Sequence, residues 1–193
     1  MIEQGNLPTQ RVNISTQKML GGIGSILLLL FIMPGTVATL LGIVGIVLWF
    51  ISIYQLSNIL RKPTIFQKVL ISFILSIVGA VIAFAFGLMA LIPLFVSPKN
   101  ETGAILGVGL GVVVAIIVGY AIVIAISYFY KEAYEILAQA TAHNLFKIGG
   151  ILFFIGAITI ILFGLGLLLI VVSNVVLAVA FFTAPNEVEV QGA

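Results

Sequence analysis

Chemically reactive residues are scarce in this chain. It contains no cysteine, no aspartate and a single histidine, His143, among 193 residues. Disulfides, thiolate metal sites and cysteine nucleophiles are therefore excluded, and His143 has no second histidine, aspartate or cysteine with which to hold a metal ion. We accordingly predict no catalytic residues, no cofactor and no metal, and we expect the protein not to be an enzyme.

Charge is also scarce. Asp, Glu, Lys and Arg make up 7% of the residues, whereas soluble domains contain about 25%. The net charge of +2 is too small to indicate a nucleic-acid partner. The chain has instead four long stretches free of Asp, Glu, Lys, Arg and His: Met19 to Leu56, Val69 to Val96, Ile105 to Phe129 and Ile148 to Phe182. Because a hydrocarbon core about 30 Å thick requires about 20 apolar helical residues, the sequence predicts an all-α, polytopic bundle of transmembrane helices in the lipid bilayer.

The lengths of these stretches predict the number of helices. Met19 to Leu56 is 38 residues long, and a straight helix of that length would measure about 57 Å, almost twice the hydrocarbon thickness. We predict that it turns back at Pro34-Gly35, because proline removes a helical hydrogen bond and glycine accepts the angles of a turn. Ile148 to Phe182, with 35 residues, is predicted to turn at Gly164 to Gly166, with one tilted helix as the alternative. The prediction is six helices, with five or four as alternatives.

These helices divide the chain into a polar N-terminal segment over 1–17, a transmembrane domain over 18–184 and a C-terminal tail over 185–193. The predicted spans are about 19–33, 36–57, 69–96, 105–129, 148–163 and 166–183. The segment Tyr128 to Phe146 is predicted to continue the fourth helix beyond the membrane. There Lys131 and Glu135 lie one turn apart and are expected to pair.

Basic residues predict the orientation, because Lys and Arg are retained on the cytoplasmic side. With six spans, seven of the eight basic residues fall on the side of both termini, and only Lys99 falls on the opposite side. We therefore predict cytoplasmic N and C termini. Asn100, in the pattern Asn100-Glu101-Thr102 on the outer side, is a candidate glycosylation acceptor.

Glycines in the spans are predicted to serve helix packing, since small residues let backbones approach closely. The candidates are Gly42, Gly45, Gly107, Gly111 and Gly156, of which Gly107 and Gly111 have the GxxxG spacing. A weak internal repeat is also present, because Phe66-Gln67-Lys68 and Phe146-Lys147 introduce similar helices. From this repeat we predict that the bundle consists of three pseudo-repeated helical hairpins.

Polar residues inside the spans are the candidates for function, because each costs energy in hydrocarbon unless it finds a partner. Asn174 and the adjacent Ser173 lie in the middle of the sixth helix, and Tyr120 lies deep in the fourth. We expect Asn174 to make an interhelical hydrogen bond. Ser72 and Thr159 are expected to bond to carbonyls of their own helices.

Several segments resemble a known family. They are Lys18 to Leu27, Leu41 to Leu48, Leu56-Ser57-Asn58, Ile65-Phe66, Tyr134 to Leu137, Leu145 to Lys147 and Ala180-Phe181-Phe182. In these segments the chain resembles an uncharacterised multi-pass membrane family found mainly in archaea and catalogued as domain of unknown function 996. The resemblance implies a plasma-membrane location and brings no activity and no functional residues.

Two functions from different classes follow. The first is a structural or accessory membrane subunit that assembles with itself or with a larger membrane complex through its glycine-lined helix faces. The second is a passive carrier or channel for a small neutral or apolar solute, lined by Asn174 and Tyr120. A water-reachable cavity shared by these two residues would favour the carrier, and polar groups capped by neighbouring helices would favour the accessory subunit.

Overall fold

A computed structural model of the protein describes residues 9–96, 101–162 and 164–191, with side chains over 10–89, 109, 111–162 and 164–190. Within these ranges the chain forms six α-helices and two short β-strands. The elements are β1 (Thr9–Asn13), α1 (Ser15–Leu29), α2 (Thr36–Ile59), α3 (Pro63–Val96), α4 (Glu101–Thr141), α5 (Leu145–Ile158), α6 (Leu165–Thr183) and β2 (Glu187–Gln191). The predicted all-α fold of six helices is confirmed.

Five helices of the described ranges are long and apolar enough to cross a membrane. They cover Ser15–Ile32, Thr36–Ile59, Pro63–Met89, Gly111–Thr141 and Leu165–Thr183. One further apolar helix, Leu145–Ile161, is shorter. At about 1.5 Å per residue it measures about 26 Å, slightly less than a hydrocarbon core of about 30 Å. These helices make the chain a multi-pass membrane protein.

Two hairpins reverse the chain in the same way. After α1, one turn of 3-10 helix (Leu30–Ile32) leads to Gly35, whose φ is 132°, and α2 begins at the next residue. After α5, one turn of 3-10 helix (Thr159–Ile161) leads to Gly164, whose φ is 86°, and α6 begins at the next residue. Because glycine alone adopts such φ values readily, each reversal depends on its glycine. The stretch 148–182 is thus a hairpin and not one tilted helix.

The chain folds as two compact units. Unit 1 consists of Met1–Val69 and Tyr130–Ala193, and unit 2 consists of Leu70–Phe129. Unit 1 therefore holds α1, α2, α5 and α6 together with the first residues of α3 and the last residues of α4. In this unit α1 packs against α2 and α6, and α5 packs against α6. Unit 2 holds the remaining parts of α3 and α4.

The hydrophobic core belongs to unit 1 and joins its helices to the strands. Its most buried members are Ile14, Ile53, Leu56, Ile65, Leu137, Phe146 and Phe181. The rings of Phe146 and Phe181 meet edge to face, with 5.0 Å between their centroids, and so connect α5 to α6. In the described part of unit 2, by contrast, the buried residues are Ser72 and Ser127.

The N-terminal segment and the C-terminal tail form a small sheet that the sequence analysis did not predict. β1 and β2 pair antiparallel, with Thr9 opposite Gln191. β2 alternates Glu-Val-Glu-Val-Gln, and its Val188 and Val190 are buried. Such alternation is the signal of a half-buried strand, but a strand this short is not stable without its partner. The pairing brings the two ends of the described chain together.

Candidate functional site

Ser173 and Asn174 lie side by side in α6 and use their hydrogen-bonding groups differently. The Ser173 hydroxyl is buried and donates to the carbonyl of Gly149 in α5 at 2.7 Å. The Asn174 amide points about 100° further round the helix and donates to the carbonyl of Ile170, in α6 itself, at 2.9 Å. The prediction that Asn174 makes an interhelical hydrogen bond is therefore wrong. Ser173 makes that bond, because it faces α5 at a glycine, where the two backbones come close.

The other polar candidates belong to other elements of the fold. Tyr120 is half-buried and belongs to unit 2, whereas Asn174 belongs to unit 1. Thr159 donates to the carbonyl of Ile155 in its own helix at 2.8 Å, as expected. Asn100, the candidate glycosylation acceptor, lies outside the described residues.

A serine hydroxyl bridges each of three helix pairs. Ser52 of α2 donates to the carbonyl of Gln17 at the start of α1, at 2.7 Å. Ser72 of α3 donates to the carbonyl of Ile126 in α4, at 3.2 Å. Ser173 bridges α6 and α5 in the same manner, and all three serines are fully buried. A side chain as short as serine reaches a neighbouring backbone only where two helices approach closely.

Sequence reasoning missed this role for the serines. No hydrogen bond was predicted for Ser52, and Ser72 was expected to bond within its own helix. A serine in an otherwise apolar helix is compatible with either bond, because the hydroxyl reaches the carbonyl of its own preceding turn as well as that of a close neighbour. The choice depends on which helix lies opposite, and the sequence does not contain that information.

Glycines occupy the contact between α1 and α2. A Cβ atom added at Gly45 would lie 2.7 Å from the Cβ of Leu27 and 2.9 Å from the carbonyl oxygen of Gly24. One added at Gly42 would lie 2.7 Å from the ring of Phe31. A side chain at Gly45 would therefore force α1 and α2 apart, and one at Gly42 would displace the Phe31 ring.

Glycines occupy the contact between α5 and α6 as well. A Cβ atom added at Gly156 would lie 3.0 Å from the carbonyl oxygen of Gly166, and one added at Gly166 would collide with the backbone of Ile160. For the GxxxG pair predicted in α4, the structure describes no such contact. Gly107 lies where only the backbone is described, and Gly111 is half-buried.

Ion pairs connect α4 to the helices on either side of it in sequence. Lys68 of α3 forms a salt bridge with Glu132. Lys147 of α5 lies 3.1 Å from the carboxylate of Glu135. Lys131, which was expected to pair with Glu135, has its ammonium 5.8 Å from the centre of the Phe154 ring. The lysine that pairs with Glu135 thus comes from the start of α5. The spacing of residues along α4 could not indicate this pair.

Two further contacts fasten the end of α6. The Lys18 ammonium, in the first turns of α1, donates to the carbonyl oxygen of Ala184 at 2.6 Å. A cation at the C-terminal end of a helix is favourable, because the last carbonyls carry partial negative charge and lack intrahelical partners. The Nε2 atom of His143 lies 3.0 Å from the Thr183 hydroxyl.

Together these polar groups act as links between elements. In the described part of the chain, every buried side-chain nitrogen or oxygen has a hydrogen-bond partner. Within the same part, no three His, Cys, Asp or Glu side chains stand close enough to hold a metal ion. The indole of Trp49, for example, donates to the buried hydroxyl of Tyr134 at 3.0 Å and so joins α2 to α4.

The sequence of this chain matches the model of a known family. The family model described as protein of unknown function (DUF996) matches residues 41–175. The chain belongs to this family. The resemblance noted in the sequence is thereby confirmed.

A related protein extends the likeness beyond the region matched by the family model. Uncharacterized protein MJ1644 of Methanocaldococcus jannaschii is 29% identical over 184 residues, which cover 93% of this chain and 97% of that protein. No solved structure matches the chain. This DUF996 protein thus belongs to a family of unknown function. Five helices in the described part of its chain are long and apolar enough to span a membrane.

Proposed function

We propose that this DUF996 protein is a non-catalytic structural or accessory membrane subunit that assembles with itself or with a larger membrane complex. The observation that carries the proposal is the use of its polar groups. Ser52, Ser72 and Ser173 each donate to a neighbouring helix of the same chain, and Asn174 donates to its own helix. The three serine hydroxyls hold helices together, and both they and the Asn174 amide donate to backbone carbonyls of the chain itself and not to a solute.

The surface we propose for assembly lies on α4. Atoms of the chain itself occupy the space beside the glycines between α1 and α2 and between α5 and α6. These helix faces are therefore not open to a partner. Gly109 and Gly119 differ, because a Cβ atom added at either would meet no described atom within 4 Å. Helix faces that lack side chains allow the backbone of another helix to approach closely.

The proposal includes a plasma-membrane location with both termini in the cytoplasm. The pairing of β1 with β2 supports it, because two paired strands lie on the same side of the membrane and the chain between them then crosses an even number of times. Six crossings satisfy that condition when the short α5 returns across the bilayer. The seven basic residues on the side of the termini favour the cytoplasm for that side.

The test is purification of the tagged full-length chain from its native membranes in a mild detergent. We expect a particle larger than one subunit, with any co-purifying protein present at constant stoichiometry. The variant Gly109→Leu combined with Gly119→Leu is expected to lose this association, because its side chains would separate the two helix backbones. Val113→Leu is the matched control, since Val113 is 52% exposed on the same helix and already carries a branched side chain.

A particle of one subunit would overturn the proposal, as would association that the glycine variant leaves unchanged. In the first case the carrier becomes the better explanation. Solute flux through reconstituted protein would then be measured for the wild type and for Asn174→Ala and Tyr120→Phe.

A further inference from the structure

Most basic side chains of the described chain have a partner within the molecule. The described residues include seven of the eight Lys and Arg residues of the sequence. Five of these are engaged: Arg11 with Glu189, Lys18 with the carbonyl of Ala184, Lys68 with Glu132, Lys131 with the ring of Phe154, and Lys147 with Glu135. Among the described basic residues, Arg61 and Lys62 are the two whose side chains have no such partner.

Arg61 occupies a backbone position that its side chain does not favour. α2 ends where the amide of Lys62 donates to the carbonyl of Ser57 at 3.0 Å, which leaves Arg61 with a φ of 53°. Residues with a Cβ atom rarely adopt this conformation, and glycine is usual there. α4 ends in the same way at Ala142, whose φ is 51°. The uncharged Ala142 therefore ends α4 in the same way as Arg61 ends α2. This type of helix ending does not by itself require an arginine.

The two basic residues line a groove of about 480 Å³ in unit 1. Its walls come from the junction of α2 and α3, from Gln139 near the end of α4 and from Glu189 and Val190 of β2. The volume falls within the range of about 300 to 1,000 Å³ that is usual for ligand pockets. Arg61, Lys62 and Gln139 are exposed, so their donor groups remain accessible to a ligand.

The charge balance of the groove favours an anion. Glu189 is the acidic residue among those that line it, and the guanidinium of Arg11 lies 3.6 Å from the Glu189 carboxylate. Arg61 and Lys62 therefore contribute positive charge that no described acidic side chain neutralises. An arginine beside a lysine and an amide is a set of donors suited to phosphate oxygens.

The position of the groove indicates the source of the anion. It lies where α2 ends at Ile59 and α3 begins at Pro63, and both helices are apolar and long enough to span a membrane. Side chains just beyond the ends of such helices lie at the level of the lipid headgroups. Basic pockets at this level bind anionic headgroups.

We infer that the groove between Arg61, Lys62 and Gln139 binds a phosphate-bearing group, supplied by the headgroup of an anionic phospholipid. Arg61 and Lys62 provide the charge-assisted hydrogen bonds, and Gln139 provides a neutral donor beside them. Val190 and Leu60, both buried, form an apolar part of the wall. The inference does not depend on the proposed accessory role, because a carrier would equally contact lipid.

The test measures lipid bound to the full-length chain in a non-ionic detergent. The protein is titrated with phosphatidylglycerol, with phosphatidylcholine and with inorganic phosphate, and bound lipid is counted by native mass spectrometry while phosphate binding is followed by thermal stabilisation. The test variant is Arg61→Asn with Lys62→Gln, because asparagine tolerates the backbone angles of position 61. The control is Lys131→Gln with Lys147→Gln, which removes the same charge elsewhere on unit 1.

We expect the test variant to bind phosphatidylglycerol about thirtyfold more weakly than the wild type, and the control to bind it as the wild type does. Phosphatidylcholine is expected to bind weakly to all three proteins. Equal binding of phosphatidylglycerol by the wild type and the test variant would overturn the inference. Equal losses in the test variant and the control would overturn it too, since they would reflect overall charge.

Inorganic phosphate distinguishes the two sources of the group. Phosphate that stabilises the wild type but not the test variant, with no preference for phosphatidylglycerol, would support a phosphate site and overturn a lipid as its source. Circular dichroism of both variants, which is expected to match the wild type, separates loss of binding from loss of folding.

Discussion

Unit 1 and unit 2 are built from similarly apolar helices but bury their side chains to different extents. The most apolar 18-residue windows within Gly111–Thr141 of α4 and Leu165–Thr183 of α6 have the same mean hydropathy of 2.7, yet 6% of the first window and 33% of the second are buried. Every buried hydrophobic residue of the described chain belongs to unit 1. Hydropathy therefore predicts that a helix enters the membrane and not how much of it packs against protein.

The two units also differ in their glycine contacts. Lipid tails are as apolar as leucine, so helices in a bilayer associate through close packing and hydrogen bonds. Unit 1 has glycines in the α1–α2 and α5–α6 contacts. In the described part of unit 2, Gly79 makes a close contact, because an added Cβ atom there would lie 2.7 Å from Ile122. A Cβ atom added at Gly87, also in unit 2, would meet no described atom within 4 Å.

The largest effect is expected from a side chain placed in the α1–α2 contact. A Cβ atom at Gly24 would lie 2.7 Å from the amide nitrogen of Trp49, which is backbone and cannot rotate away. Gly24→Val is expected to lower the free energy of unfolding by about 3 kcal/mol, the upper range for overpacking. The measurement is unfolding by sodium dodecyl sulfate in mixed micelles, followed by circular dichroism.

Gly87→Val is the matched control for this substitution, because a Cβ atom at this position of unit 2 would meet no described atom within 4 Å. It is expected to change the free energy of unfolding by less than about 0.5 kcal/mol. If the two variants were equally destabilised, the contrast between the packed and the open unit would be wrong.

A smaller effect is expected from the Lys68–Glu132 ion pair. The two side chains are 31% and 26% exposed, which places the pair between surface bridges worth about 0 to 1 kcal/mol and buried ones that cost about 3 to 5 kcal/mol to break. Lys68→Gln is expected to lower the free energy of unfolding by about 2 kcal/mol, near the midpoint. A double-mutant cycle with Glu132→Gln measures the coupling.

The Lys147–Glu135 pair provides the comparison, with side chains 49% and 32% exposed. Its coupling in the same type of cycle is expected to be about 0.5 kcal/mol, because solvent screens it more. A coupling at Lys147–Glu135 equal to or larger than that at Lys68–Glu132 would contradict the argument from exposure.

An effect smaller than that of the Lys68–Glu132 pair is expected from the serine bridges. Ser173→Ala removes a bond of 2.7 Å in unit 1, and Ser72→Ala removes one of 3.2 Å in unit 2. We expect losses of about 1 and about 0.5 kcal/mol respectively, in the range measured for interhelical bonds in membranes. Ser76→Ala is the control, since Ser76 donates to Phe73 of its own helix. Losses that ranked Ser72 above Ser173 would indicate that unit 2 depends more on its polar bridge than unit 1 does.

The candidate site was less predictable than the fold. Asn174 was the most conspicuous polar residue of the sixth helix, yet the neighbouring Ser173 makes the interhelical bond. Glu135 was expected to pair with Lys131 on its own helix and pairs with Lys147 of α5 instead. Local spacing predicts contacts within one helix, and a bond between helices depends on which faces meet.

The sequence by itself determined the membrane class, the six helices and the family. These follow from local properties, because apolar length decides whether a helix spans a bilayer and because Pro34, Gly35 and Gly164 break or reverse a helix where they stand. Only the tertiary structure decided the pairing of β1 with β2, the partner of each serine and glycine, and the isolation of Arg61 and Lys62 in one groove. Those features depend on residues far apart in the chain, whose approach is set by the packing of the helices and is not encoded in any single segment.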